Sequence, residues 1–412
     1  MKKQIAGLLA LVLLCSIPFP AYAADIETPQ LQIVSVKYSD IDQMVRTSNQ
    51  TIRANVKSLD SLQNNDVIAE KQQELSSSAA ALQDVNKMLQ NAYAAINTPG
   101  VAVTSEQQAI SASLQGSMAS INAICSILSA QKSQLDVSED TIDKTELQMK
   151  QSADQIVIAA QQLFVSYHFL NSQRSALIQK QKLSDDTIQI AKQKYDLGFM
   201  TAAELLTAQQ TSQSIRSSIA ALVLQMQTVK NNLRVLMGYS KDYDLNFSSL
   251  PSVDTSFISK MNDATDYQTA LDANYTLRLK KIEKDIADEN RDDDSNSNDD
   301  PDSTVLDYQS AALNYRIAIN TFDASFRRVF DAVHLKQEQL ATELSNQQSK
   351  VKTLDMQTKK WSVGQISALD LETAQQDVSA QNAAVQQAEI NLFTSVEQYR
   401  WALNGTIIQS EN

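Results

Sequence analysis

The sequence predicts an all-α fold: long antiparallel helical hairpins in two tandem repeats, packed as coiled coils. Three observations predict it. The first is a turn that occurs twice. Tyr195-Asp196-Leu197-Gly198, followed by Glu204-Leu205-Leu206-Thr207-Ala208-Gln209-Gln210, returns 166 residues later. The second copy reads Trp361-Ser362-Val363-Gly364, followed by Asp370-Leu371-Glu372-Thr373-Ala374-Gln375-Gln376. Phe164 and Phe330, His168 and His334, and Arg234 and Arg400 fall in the same phase. Repetition over this length implies two similar helical units. The second observation is punctuation. Glycine and proline number 7 and 6 in 412 residues, and most stand where helical periodicity stops, as residues that interrupt helices should. Long stretches of Ala, Gln, Leu, Ser and Lys lie between them, so the helix content is far above the usual proportion.

The third observation is apolar spacing. From the first turn a seam runs Leu205, Ala208, Ser212, Ile215, Ile219, Leu222, Met226, Val229, Leu233, Leu236. From the second it runs Leu371, Ala374, Val378, Gln381, Val385, Ala388, Leu392, Ser395, Tyr399, Ala402. Alternating steps of three and four put one narrow stripe on each helix, which is a coiled-coil seam. The helices entering the turns carry similar stripes: Leu163, Tyr167, Leu170, Leu177, Ile188, Tyr195, and Phe330, Val333, Leu340, Leu344, Val351, Leu354, Trp361. Each unit is therefore a long descending helix, a glycine turn and a shorter ascending helix. Residues 303–362 would span roughly 90 Å at about 1.5 Å per residue. A lone hairpin of that length cannot bury both faces, so it needs partner helices from the other repeat and from other subunits.

The elements follow in order. Residues 1–23 read as a secretory signal, with Lys2 and Lys3, an apolar run from Ile5 to Ile17, and Ala21-Tyr22-Ala23 as a small-x-small cleavage site. That run is too short for a spanning helix. Residues 24–240 form the first repeat. It holds an extra helical hairpin at about 64–136, with helices over 64–96 and 105–136 around Asn97-Thr98-Pro99-Gly100. Residues 241–256 are non-periodic and contain Pro251, so they read as the connection between repeats. Residues 257–405 form the second repeat, which opens with one helix from Phe257 to Ala287. The acidic run 288–302 has like charges and nothing to bury, so it reads as a solvated loop. Asp292, Asp294 and Asn296 alternate there, but the glycine and terminal glutamate of an EF-hand loop are missing. Residues 406–412 are a tail.

Composition excludes several functions. The net charge is −13, and becomes −15 once Lys2 and Lys3 leave with the signal. No basic stripe is available to neutralise phosphates, so nucleic acid is not a partner. Cys125 is the one cysteine beyond the signal, so no intrachain disulfide forms in the exported product, and it reads as a buried helical residue. There is no glycine-rich phosphate loop, nucleophile elbow or metal-ligand cluster. His168 and His334 sit beside the seam at equivalent places and read as structural. No enzyme activity, cofactor or metal is expected.

The two glycine turns resemble the tips of the TolC family of outer-membrane efflux ducts. The family pattern is an aromatic, two residues, Gly, five residues, an acid, and a helix with Ala and Gln at set places, twice per chain. Tyr195, Gly198, Glu204 and Ala208 meet it, as do Trp361, Gly364, Asp370 and Ala374. The resemblance covers roughly 150–240 and 255–405 and implies a homotrimer. Each protomer would give four helical strands to a twelve-helix hollow barrel. A periplasmic adaptor (membrane fusion) protein would grip the tips while an inner-membrane pump supplies energy. Tyr195, Leu197, Gly198, Phe199 and Glu204, with Trp361, Val363, Gly364, Gln365 and Asp370, would be the docking residues. Glu204 and Asp370 have a simpler role as first-turn acids at the positive helix end.

Family members also insert two β-strands per repeat, which trimerisation closes into a membrane barrel. A spanning strand needs about 9–11 alternating residues. Here one place holds the 64–136 hairpin and the other the acidic run. The expectation is a duct component without its barrel: exported, and either outer-membrane-associated or periplasmic. A competing reading is an exported coiled-coil rod or interaction protein without transport activity. A periplasmic adaptor is a third, but its lipoyl-like and barrel β-domains have no candidate here.

Overall fold

The computed structural model describes residues 32–63, 68–97, 105–131, 139–294 and 302–408. The secretory signal and the 409–412 end of the tail therefore lie outside the described residues. The helices are α1 (Ile41–Ser48), α2 (Gln50–Gln63), α3 (Ile68–Ile96), α4 (Ser105–Gln131), α5 (Glu139–Asp196), α6 (Ala202–Leu236), α7 (Thr255–Lys260), α8 (Asp263–Ala273), α9 (Tyr275–Asp294), α10 (Asp302–Ser362) and α11 (Ala368–Leu403). Two strands, β1 (Gln32–Val36) and β2 (Tyr243–Phe247), pair in parallel, with Gln32 opposite Tyr243 and Val36 opposite Phe247.

The long helices α5 and α10 have 58 and 61 residues, and each is paired with a returning helix, α6 and α11. Every buried residue of α6 lies on the predicted seam: Ser212, Ile215, Leu222, Met226, Val229, Leu233 and Leu236. The α11 seam is buried from Val385 to Ala402 and half-buried nearer the tip. Near the tips the α5–α6 contact is polar. Asp185 accepts hydrogen bonds from Ser212 at 3.0 Å, Arg216 at 3.0 Å and Gln181 at 2.7 Å. These bonds, Gln181 and Ser212 foremost, hold its carboxyl below the ordinary range. Polar contacts also join α10 to α11, where Lys350 meets Asp377 at 2.8 Å and Gln347 meets Asn382 at 2.8 Å.

The two hairpins join side by side through α5 and α11, where Gln376 donates to the Gln179 carbonyl at 2.6 Å. The packing order across the tip half is α6, α5, α11, α10. In the other half α2 and α9 take the places of α6 and α11. The result is one layer of four helical columns with two free edges. At 3.6 residues per turn the sides of α5 can be separated. Gln181 faces α6, and Ser172 and Gln179 face α11. Gln162 bonds Ser113 of α4 at 3.0 Å. Phe164, two residues on, lies on the opposite side, with its ring 5.2 Å from Phe247 of β2. The α3–α4 hairpin and the β1–β2 pair thus cover opposite faces of the layer.

Three expectations need correction. Residues 32–36 and 243–247 form strands, although the second lies in the stretch read as a bare connection. Each is five residues long and its partner is about two hundred residues away, so local alternation gave little signal. The helix expected from Phe257 to Ala287 is three helices, broken at Met261-Asn262 and at Asn274. Both asparagines use their side-chain oxygen to cap the next helix, Asn262 through Ala264 and Thr265 and Asn274 through Leu277. A residue that competes for backbone hydrogen bonds favours such breaks over a helix interior. The acidic run is helical as far as Asp294, where Arg291 pairs with Asp288 at 2.6 Å and covers the Tyr308 ring at 4.4 Å. One cation between like charges offsets their repulsion. Residues 295–301 lie outside the described residues, as do 64–67, 98–104 and 132–136 of the expected extra hairpin. Asp254 also caps α7 through Ser256 at 2.9 Å.

The two halves also match near their upstream ends. Asn49-Gln50-Thr51-Ile52-Arg53 and Asn274-Tyr275-Thr276-Leu277-Arg278 occupy equivalent places. Asn49 donates to the Leu236 carbonyl at 2.8 Å, at the end of α6. Asn274 donates to the Gly405 carbonyl at 3.3 Å, at the end of α11. Both asparagines are buried. Each joins the N-terminus of one helix to the C-terminus of another, satisfying orphan donors and acceptors together. In this way α2 and α9 begin where α6 and α11 stop.

Candidate functional site at the glycine tips

Each tip is a helix stop followed by a helix start. Gly198 and Gly364 have φ of 79° and 74°, a left-handed conformation that glycine adopts without strain. At the first tip the Gly198 amide donates to the Tyr195 carbonyl and the Phe199 amide to the Lys194 carbonyl, at 2.9 and 2.8 Å. At the second, Gly364 donates to Trp361 and Gln365 to Lys360, both at 2.9 Å. This is the Schellman arrangement, which closes the last carbonyls of a helix.

The returning helices begin with capping boxes. The Thr201 hydroxyl accepts from the Glu204 amide at 3.3 Å, and the Glu204 carboxylate accepts from the Thr201 amide at 2.8 Å. Ser367 and Asp370 repeat this at 3.1 and 2.9 Å. The bond from the Thr201 amide, then that from its hydroxyl, lowers the Glu204 pKa. At Asp370 the Ser367 hydroxyl is the larger cause and its amide the second. Both acids are thus used in starting a helix.

That geometry leaves the apolar tip residues without cover. Leu197 is 71% exposed, Phe199 80% and Val363 68%. Tyr195 and Trp361 are about half exposed at the ends of their stripes. Gln365 is exposed as well. An added Cβ on Gly198 or Gly364 would meet nothing within 4 Å, so backbone can approach either tip. No hydrogen bond or ring contact joins one tip to the other among the described residues. They are linked higher up by the Gln376–Gln179 bond, and there the Asp186 carboxyl of α5, close to Glu372 of α11, raises the Glu372 pKa.

The two histidines differ in environment. His168 packs on Phe164 with centroids 4.7 Å apart, and its Nε2 has no partner. Burial lowers its pKa to about 4, against a smaller opposing effect of a hydrogen bond with the Ser248 backbone. His334 packs on Phe330 at 5.1 Å. A neutral, half-buried histidine makes stability depend on pH: between the ordinary 6.5 and about 4 the unfolded chain binds the proton more strongly. Stability should fall as the pH drops through that window, and His168→Leu should flatten the fall. Urea midpoints at pH 7 and pH 4.5 check this; an unchanged slope in the variant would assign the pH dependence elsewhere.

Cys125 is buried, and burial pushes its thiol up. No three His, Cys, Asp or Glu side chains gather as a metal site among the described residues. Nor is any helix there long and apolar enough to cross a membrane.

No protein-family model and no curated protein matches the chain. Solved structures do. The Campylobacter jejuni CmeC outer membrane channel matches with a TM-score of 0.54 at 12% identity, over 91% of this chain and 89% of that one. The outer-membrane channel OprN matches at 0.54 and 11%, over 90% of each. The outer membrane protein VceC from Vibrio cholerae matches at 0.51 and 11%, over 89% of this chain and 96% of that one. Sequence identity this low carries the architecture and no more. Two in-phase glycine-tipped hairpins in one layer, alike along nearly the whole length, give this chain the fold of the TolC-like outer-membrane channels.

Proposed function

We propose that this protein is a passive duct component for export. Three copies close into a twelve-helix tunnel, and a periplasmic adaptor (membrane fusion) protein grips the glycine tips on behalf of an inner-membrane pump. The cargo is small molecules or proteins. The observation that carries this reading is the pair of unfinished edges. The α10 edge exposes Leu306, Leu313, Leu335 and Met356, and the α6 edge exposes Val223, Leu224 and Val235. A layer of helices with apolar side chains on both edges is completed by closing on copies of itself. Matched apolar tips then form a ring at one end, with bare glycine backbone between them. The duct works by geometry, through an acidic conduit whose entrance opens when adaptor contacts shift the tips.

Docking at the tips predicts a separation of function from folding. The double variant Gly198→Trp, Gly364→Trp fills space that is empty within one chain. Its helix content and oligomeric mass should match the parent, with export reduced about tenfold or more, as loss of a 1.4 kcal/mol contact would give. Full export by the double variant would remove the tips from the docking surface. The exported-rod reading is favoured instead if the parent is a monomer and its deletion leaves export intact.

A further inference from the structure

A cleft of about 580 Å³ lies between α4 and α10, above a floor of α5 and α9. Ala119 and Ala123 line one wall, and Ile317 and Thr321 the other. Gln148, Gln151 and Gln155 stand along one face of α5 on the floor. Gln148 and Gln155 are each 2% exposed. The side-chain carbonyls of all three are buried with no hydrogen-bond partner. Buried acceptors are costly unless a donor reaches them, so the cleft is built for an occupant that brings donors.

The α3 helix carries a suitable surface. Its outward stripe is Ala80, Gln83, Asp84, Lys87, Gln90 and Asn91, all exposed. The stripe offers amide donors beside a small residue that permits close approach. Asn86 bonds Asn122 at 2.6 Å and Cys125 bonds the Ala79 carbonyl at 3.4 Å, so Gln83 to Lys87 stand level with the cleft. Within one chain this stripe faces away from it, since α3 lies on the α2 and α6 side of the layer.

The next step rests on the three-copy ring proposed above. In a ring the α2 and α6 edge of each copy meets the α10 edge of its neighbour. Rotation keeps all hairpins on one face, so the next copy's α3 arrives over α10, at the open side of the cleft. Counting helices identifies the face. Twelve helices spaced about 10 Å apart form a ring of roughly 19 Å radius, and a layer about 10 Å further in has room for about six. Three α3–α4 hairpins supply six. An outer layer would need roughly eighteen helices to close, and six would not touch.

We infer that the hairpins point into the tunnel, that α3 of the next copy fills the cleft between α4 and α10, and that the three hairpins close as a six-helix plug in the half away from the tips. The duct is then gated at both ends, and the glycine tips are only one of its barriers.

Cysteine linkage tests the contact. A Cys125→Ser chain carrying Gln83→Cys and Thr321→Cys places two thiols on exposed positions, on helices that are not packed together within one chain. A short bismaleimide should convert it to covalent dimers and trimers on a denaturing gel, while either single-cysteine chain stays monomeric. Light scattering on the same samples separates the two ideas. Trimeric mass without covalent linkage overturns the plug and leaves the ring standing. Monomeric mass overturns both.

Discussion

Gly405→Ala and Gly238→Ala should each destabilise the protein by about 3 kcal/mol or more, because overpacking and backbone strain act together there. Gly364→Ala and Gly198→Ala should cost only about 1 kcal/mol, the strain of a left-handed residue with a side chain. All four glycines have positive φ, at 100° and 73° for the first pair and 74° and 79° for the second. The surroundings make the difference. A Cβ on Gly405 would stand 2.2 Å from the Ala273 carbonyl oxygen, and one on Gly238 would stand 2.3 Å from that of Ser48. Both obstacles are backbone at the helix junctions beside Asn274 and Asn49, which cannot move aside cheaply. The tip glycines have open space. Urea midpoints with unchanged slopes would measure the four costs. Equal costs in the two pairs would mean that the junctions can relax, and that the close approach there is not a constraint.

Asp154→Ala should be the next most damaging change, at about 1–3 kcal/mol, the cost of leaving buried polar groups without their partner. Asp154 lies on α5, almost fully buried, and receives Arg46 of α1 at 2.5 Å and the Tyr275 hydroxyl of α9 at 2.7 Å. One carboxylate therefore ties both repeats to the central helix. Removing it takes the acceptor from the half-buried Tyr275 hydroxyl and one of two carboxylates from Arg46, which is partly exposed and keeps Asp42 at 2.7 Å. Burial, then the nearby Asp154 charge and hydrogen bond, push the Tyr275 hydroxyl pKa above its ordinary range. Tyr275→Phe removes a single neutral donor and should cost about 1 kcal/mol. A double-mutant cycle of Arg46→Met with Asp154→Ala checks the coupling. If the cycle shows no coupling energy, the three groups do not act as a unit.

How much was legible in the sequence can be judged from particular residues. The tips were legible because a glycine turn is local: an aromatic, a glycine and a capping acid fix its conformation within ten residues. The seams were legible because a long helix repeats its spacing many times, so Ser212 and Ser395 could be placed on the buried face despite being polar. The strands at Gln32–Val36 and Tyr243–Phe247 were not legible, since each is short and defined by a distant partner. Asn49 and Asn274 carried a signal in their shared Asn-x-Thr-apolar-Arg run. A five-residue match far upstream has little weight until the helices it joins are known.

By itself the sequence determined the periodic part of this protein: helix type, two glycine-tipped hairpins, the position of both tips and the face each returning helix buries. Those properties depend on neighbours three or four residues apart, and a chain states them directly. Only the tertiary structure decided which helix lies beside which, that α2 and α9 start where α6 and α11 end, and that the extra hairpin and the strand pair cover opposite faces. Those choices are made by contacts such as Arg46 with Asp154 and Gly405 with Ala273. Residues more than a hundred positions apart meet there, and no local pattern encodes which pairs will do so.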